Sequence, residues 1–199
     1  MKRYRGFHTQ RYDGSTADAW HSYTCSFCNN RVSGAVVAAD IVAGGPTIKW
    51  LWCTECGNPS VLALDQAIYP GVLFGPQIEG LPSETDAAYG EARRCMSVNA
   101  FTAAELICRK ILMHVAVEKG AKEGDTFINY ISHLEKEGYV TPPMKKWVTL
   151  IKDHGNDATH VLEAPNGDHA ESTVMFTAEL LRLVYEMEHL AAKYDHPTQ

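Results

Sequence analysis

The sequence predicts a mainly α protein in two parts: a small metal-held β ribbon, then a bundle of about five helices. Three observations predict it. Two Cys-x-x-Cys pairs, Cys25/Cys28 and Cys53/Cys56, bracket a stretch rich in valine and alanine. A connector dense in proline and glycine follows at 67–82. From Ser83 onward apolar residues recur at helical spacing. The chain therefore reads as an N-terminal arm over 1–22, a ribbon over 23–66, the connector over 67–82 and a helical bundle over 83–199.

The arm has no clear hydrophobic period. It carries Lys2, Arg3, Arg5 and Arg11 with no acid before Asp13, a pattern able to touch phosphate. A solvated terminus is the plainer reading. After the first cysteine pair, residues 31–42 are rich in Val and Ala and read as a strand. Gly44-Gly45-Pro46 makes a turn, and residues 48–52 alternate as a second strand that delivers Cys53. Residues 61–64 read as a third, short strand. Trp50 and Trp52 fall on one face of the second strand. Packing against the helical part is the expected use of that face, with a base-stacking platform as the alternative.

The four cysteines carry the strongest chemistry. Each pair can present two thiolates from one tight turn, and together they complete the closed tetrahedral shell of a structural zinc. Asn29-Asn30 and Gly57-Asn58-Pro59 follow the two pairs. Such residues tolerate the left-handed backbone that turns amide N–H groups toward the sulfurs. Disulfides are not supported, because nothing suggests secretion. An iron–sulfur cluster also takes four cysteines, but paired turns around a hairpin suit zinc better. The expectation is one Zn²⁺ per chain held by Cys25, Cys28, Cys53 and Cys56.

In the helical part, Ser83-Glu-Thr-Asp86 resembles a capped start, and Tyr89, Ala92, Cys95 and Met96 give the first apolar stripe. A second helix is expected over about 100–119, with Gly120 ending it, and a third from Asp125 to Gly138. Thr141-Pro142 opens a fourth. A final helix is expected over about 171–193, and its Leu180, Leu181, Val184 and Met187 suggest a dimer face. Cys95 and Cys108 sit within apolar helical patterns and read as buried thiols.

Composition bounds the function. With 199 residues, 45% of them hydrophobic, the chain can bury a core. A formal net charge of −6 excludes a bulk nucleic-acid binder. No apolar run reaches the length of a membrane span, and Met1 to Arg5 leads into polar residues rather than a secretory signal. A cytoplasmic protein is expected.

One polar stretch interrupts the helices, Lys152-Asp-His-Gly-Asn-Asp-Ala-Thr-His160. If helical, it stacks Asn156 and His160 on one face, one turn apart, with Asp153 and Asp157 beside them. A histidine among carboxylates suits acid–base work or a phosphate contact. His154 and His160 are poorly spaced for a shared metal on a helix. A polar helix start with Gly155 at the bend is preferred to a catalytic reading.

The order of these features resembles the domain-of-unknown-function family numbered 4145. The likeness rests on the cysteine ribbon, Tyr69-Pro70, Pro82, Tyr89-Gly-Glu-Ala92 with Cys95, Ala103 to Arg109, and Gly155-Asn156 with His160. It implies kinship with HEPN domains, helical and often dimeric proteins of prokaryotic defence systems. Active members are metal-independent ribonucleases carrying Arg, a polar residue, three more residues and His. By that resemblance Asn156 and His160 match, but Gly155 stands where the arginine belongs, and glycine cannot steady a transition-state phosphate. Arg109 is the candidate stand-in. The expected function is a zinc-binding, non-catalytic binding or regulatory module, homodimeric, with a protein partner in phage defence or restriction. The rival readings are a ribonuclease using His160, Asn156 and Arg109, and nucleic-acid binding through the ribbon, which is not favoured.

Overall fold

A ten-residue strand, Arg31–Asp40, organises the N-terminal part of the molecule. In the computed structural model, which describes residues 9–11, 14–40, 48–149, 151 and 166–195, the chain divides into two compact units, Met1–Leu73 and Phe74–Gln199. The first unit holds β1 (Thr9–Arg11), β2 (Trp20–Thr24), β3 (Arg31–Asp40), β4 (Ile48–Trp52), β5 (Pro59–Leu62) and β6 (Ile68–Tyr69). These form one antiparallel sheet in the order β1-β3-β4-β5-β6, with β2 paired to β3 on the same edge as β1.

This corrects the expected fold class. The N-terminal part is a curled sheet of six strands rather than a three-stranded zinc ribbon. β1 and most of β2 come from residues read as an aperiodic arm, and β6 from residues read as the connector. β2 buries only Tyr23 fully, and β1 is three residues long, so neither offers a period to read. Their hydrogen bonds come from β3, a tertiary partner that local pattern does not reveal. β3 itself changes parity midway: Gly34 and Val36 are buried, then Val37 is exposed and Ala39 buried. The pairing slips between Val36 and Ala38, so Val37 is an extra residue. A bulge of this kind bends the strand and raises its twist, which accounts for the curl. The inner face gathers Tyr23, Val36, Ala39, Leu51 and Leu62 around Cys25 and Cys53.

In the second unit the five expected helices are present. They are α1 (Ser83–Ser97), α2 (Phe101–Glu118), α3 (Phe127–Lys136), α4 (145–149, entered by the 3₁₀ turn Pro142–Met144) and a long last helix. The last helix begins as α5 (Gly167–Leu181), passes through a π-helical turn at Arg182–Glu186 and continues as α6 (Met187–Tyr194). α2 packs against α1, α3 and α5, with Leu112, Val115, Leu134, Val174 and Phe176 in the core. Trp147 on α4 meets Phe176 edge to face, ring centroids 6.4 Å apart. Leu180, Leu181 and Val184, which suggested a dimer face, are buried in this same core, while Leu183, Met187 and Tyr194 stay exposed. Among the described residues, no helix is long and apolar enough to cross a membrane.

The expected cap at Ser83 is absent. Pro82 occupies the N-cap position, its carbonyl accepts from Asp86 N–H, and no side chain caps the helix. Thr126 and Asn166 do cap α3 and α5, accepting from the backbone N–H groups of Asn129 and His169. The segment before α1 is anchored by its backbone. Arg93 donates to the carbonyls of Phe74 and Gly75 at 3.0 and 2.9 Å, and Tyr89 donates to that of Pro76 at 3.0 Å. Glu186, set in the π turn, accepts from Glu79 N–H at 3.0 Å and from Arg182 Nε at 2.8 Å.

Candidate metal centre

Both cysteine pairs sit in the loops of β-hairpins. The β2–β3 hairpin closes at Thr24 opposite Arg31, and the β4–β5 hairpin at Trp52 opposite Pro59. Because β3 and β4 pair antiparallel with Ala35 opposite Trp52, the start of β3 and the end of β4 lie at one end of the sheet. That register alone carries the two loops to the same place.

The loops share one backbone plan. Cys25 and Cys53 donate their N–H groups to the carbonyls of Asn30 and Asn58, each at 3.0 Å. Their own carbonyls accept from Asn29 and Gly57 at 2.8 and 3.0 Å. Asn29 and Gly57 occupy the same loop position and both are left-handed, at φ 58° and 72°. The turn chemistry expected of these residues is therefore the chemistry that shapes each loop.

All four Sγ atoms lie within 4.8 Å of one another. Cys25 and Cys56 are 3.7 Å apart, and Cys28 and Cys53 are 3.8 Å apart. A tetrahedron with metal–sulfur bonds of about 2.3 Å has edges of about 3.8 Å, so these two contacts suit a shared ion. They are far too long for a disulfide, and all four are free cysteines. Phe27 N–H donates to Cys25 Sγ and Asn58 Nδ2 to Cys56 Sγ, each at 3.4 Å. Hydrogen bonds of this kind orient thiolate ligands and stabilise their charge.

The acidities of the thiols express the crowding. The Asn58 backbone N–H and then its side-chain amide draw Cys56 down to about 6. For Cys28 the Asn30 backbone N–H is the largest single influence and pulls downward. Desolvation and the three neighbouring thiols outweigh it, and the group is pushed up to about 12. Burial also pushes the Cys25 thiol up. Four sulfurs this close cannot all ionise by themselves, and a divalent cation removes that conflict.

Of the other candidate site residues, Arg109 alone is among the described residues. Arg109 lies on α2 with its guanidinium 4.3 Å from the centroid of the Phe127 ring, and desolvation lowers its pKa. Asn156 and His160 lie outside the described residues, as do Lys152 to Gly155 and Asp157. Sequence reasoning passed over Glu105, one helical turn before Arg109. It is buried, its Oε1 has no hydrogen-bond partner among the described residues, and burial raises its pKa against the favourable charges of His169 and Arg109. Its place on the buried stripe of α2, beside Ala104 and Cys108, was the available signal. Sequence reasoning also missed Trp20, which register places on the same face of the sheet as Trp52. Cys108 is fully buried and Cys95 partly so.

A family model described as a domain of unknown function (DUF4145) matches residues 90–196, more than half of the chain. No curated protein and no solved structure matches it.

Proposed function

The chain belongs to the DUF4145 family, and we propose that within it this protein is a zinc-stabilised, non-catalytic binding module. The observation that carries the reading is the four-sulfur cluster formed by Cys25, Cys28, Cys53 and Cys56. Four thiolates select zinc over harder cations. They also fill its tetrahedral shell, leaving no position for the water or substrate that a catalytic zinc requires. The metal then serves the sheet, whose inner face holds few aliphatic residues besides the ligands. What the sheet offers outward is a surface for recognition. Homodimerisation belongs to the proposal through Leu183, Met187 and Tyr194, the exposed apolar residues of the last helix. A role in phage defence or restriction follows only from the resemblance to HEPN domains.

The test is elemental analysis of protein purified without chelator, run beside an RNA-cleavage assay in EDTA. About one zinc per chain is expected, because four thiolates complete one shell. Metal-free protein that remains fully folded overturns the zinc reading. Cleavage that persists in EDTA and disappears in His160→Ala overturns the non-catalytic reading.

A further inference from the structure

The outer face of the sheet carries more exposed aromatic surface than a small isolated sheet needs. Cross-strand pairing sets Trp20, Ala35, Trp52 and Pro59 in one row, and Arg11, Ala38, Trp50, Val61 and Tyr69 in the next. Directly opposed residues share a face. Trp52 is 51% exposed, Trp20 43% and Trp50 36%. Trp20 and Trp52 stand two strands apart, about 10 Å, and Trp50 and Trp52 about 7 Å apart along one strand. Between them the floor is Ala35, Ala38 and Ser33. Rings that stand over small residues leave flat faces open on either side.

Two of the rings are held in place. Trp20 Nε1 donates to the Gly14 carbonyl at 3.3 Å. A Cβ on Gly57 would lie 3.7 Å from Trp52 Nε1, so the indole rests against the second cysteine loop. The charges near the face are unequal. Arg11 is exposed in the row of Trp50, and Arg31, also exposed, lies on the same face at the cysteine end of β3. The register places one carboxylate among them, Asp40, opposite Ile48. Asp65, near the β6 edge, is engaged by the Tyr69 hydroxyl at 3.1 Å and by Ala67 N–H at 3.0 Å. In the sequence, Lys2, Arg3 and Arg5 precede Arg11 closely, and residues 1–31 contain two acids, Asp13 and Asp18.

We propose that this face binds single-stranded nucleic acid, with bases stacked on Trp20, Trp52 and Trp50 and phosphates met by Arg11 and Arg31. The inference deepens the binding-module reading and rests on it. Stacking on exposed indoles is tolerant of sequence, whereas base pairs in a duplex already stack on each other and present no open face. Exposed Trp and Arg also serve protein interfaces, but here the rings alternate with alanine and serine, which leave slots for a flat base rather than a packed interface core. The net charge of −6 does not oppose this, because residues 1–73 carry six Lys or Arg against five Asp or Glu, and the excess of acid lies in the helical part. It does limit the electrostatic share, so affinity rests on stacking and falls only gently with salt.

The experiment uses the full chain, its zinc content measured on the same sample. It titrates fluorescein-labelled oligothymidine and oligouridine of about ten nucleotides and a mixed-sequence duplex, reading anisotropy and tryptophan quenching. Both single strands are expected to bind and to quench, and the duplex to bind far more weakly. Trp52→Ala and Trp20→Ala each weaken binding about tenfold or more, while Trp52→Phe keeps most of it. Two phosphate contacts give a slope of log K against log salt of about −1.4, and Arg31→Gln reduces it by about 0.7. Circular dichroism and zinc content matching the parent establish that each variant is folded. Zinc-loaded protein that binds no single strand at about 100 μM overturns the inference and leaves the metal reading standing. Binding untouched by Trp52→Ala, or a duplex bound as tightly, overturns it as well. So does a Trp52→Ala variant whose only effect is to dissociate a self-associated form in sedimentation. A sample without zinc overturns the metal reading instead, and the oligonucleotide result still decides this one.

Discussion

Stripping the metal should unfold the sheet and spare the helices. Two of the seven residues buried in the sheet's inner core, Cys25 and Cys53, belong to the four-sulfur cluster that would hold the metal. Without a cation, the thiols at opposite extremes, Cys56 near 6 and Cys28 near 12, leave the cluster partly charged and unneutralised. Structural zinc commonly contributes about 10–16 kcal/mol of apparent binding free energy at neutral pH. Whole domains are stable by only about 5–15 kcal/mol, so losing that contribution leaves a sheet this small unfolded. The helical unit has its own core and no share in the site. The assay is hydrogen exchange by mass spectrometry before and after a strong chelator, with Cys53→Ser as the genetic counterpart. Amides of Arg31–Asp40 and Ile48–Trp52 should lose protection, while those of Phe101–Glu118 keep it. Zinc returned to the chelated protein should restore the sheet. Full protection of both strands in verified metal-free protein would refute the reasoning, since the aliphatic residues would then suffice.

Three further outcomes follow from particular contacts. Asn58→Ala removes the amide that donates to Cys56 Sγ, and competition with a chromophoric chelator should show metal affinity lower by about 10–100-fold. Gly34→Ala would drive a Cβ into the edge of the Tyr23 ring and place it 3.1 Å from the Trp52 carbonyl oxygen. With Tyr23 buried, chemical denaturation should show a loss of about 1–3 kcal/mol. Glu186→Gln weakens the clamp on Glu79 N–H and Arg182, at a cost of about 1 kcal/mol near neutral pH. The Glu79 N–H and then Arg182 hold the Glu186 carboxyl below its ordinary 4.5. Its contribution is therefore present above about pH 4.5 and fades as pH falls through the lowered value, so the Tm gap between the two proteins should close in acid.

The longer helices were legible because each keeps one apolar stripe over several turns, as in Ala104, Cys108, Ile111, Leu112 and Val115 of α2. The cysteine loops were legible because their function demands particular residues at short spacing, down to the left-handed Asn29 and Gly57. The sheet was read at half its size because β1 and β2 exist by pairing to β3, and the two-residue β6 by pairing to β5, which pattern within those segments does not encode. The Val37 bulge hid the alternation of β3 for a related reason, since one inserted residue reverses the face of all that follow. Ser83 looked like a cap because of its residue type, but the helix begins there and Pro82 stands before it. Arg109 was the candidate stand-in for the missing arginine; in the fold its guanidinium stands over the Phe127 ring, and the Asn156 and His160 it would serve lie outside the described residues.

The family match begins at residue 90, beyond all four cysteines and all three exposed tryptophans of the sheet. Whatever is learned of other members through that match therefore concerns the helices, from within α1 to the end of α6. The metal centre and the aromatic face have to be argued from this chain's own residues, and they support each other. Trp52 immediately precedes the ligand Cys53 and lies against Gly57, which follows the ligand Cys56. Ordering the second cysteine loop thus orders the indole beside it. A metal bound by the four sulfurs would fix the loops and with them the spacing of the rings, so one ion would both stabilise the sheet and set the geometry of the surface it presents.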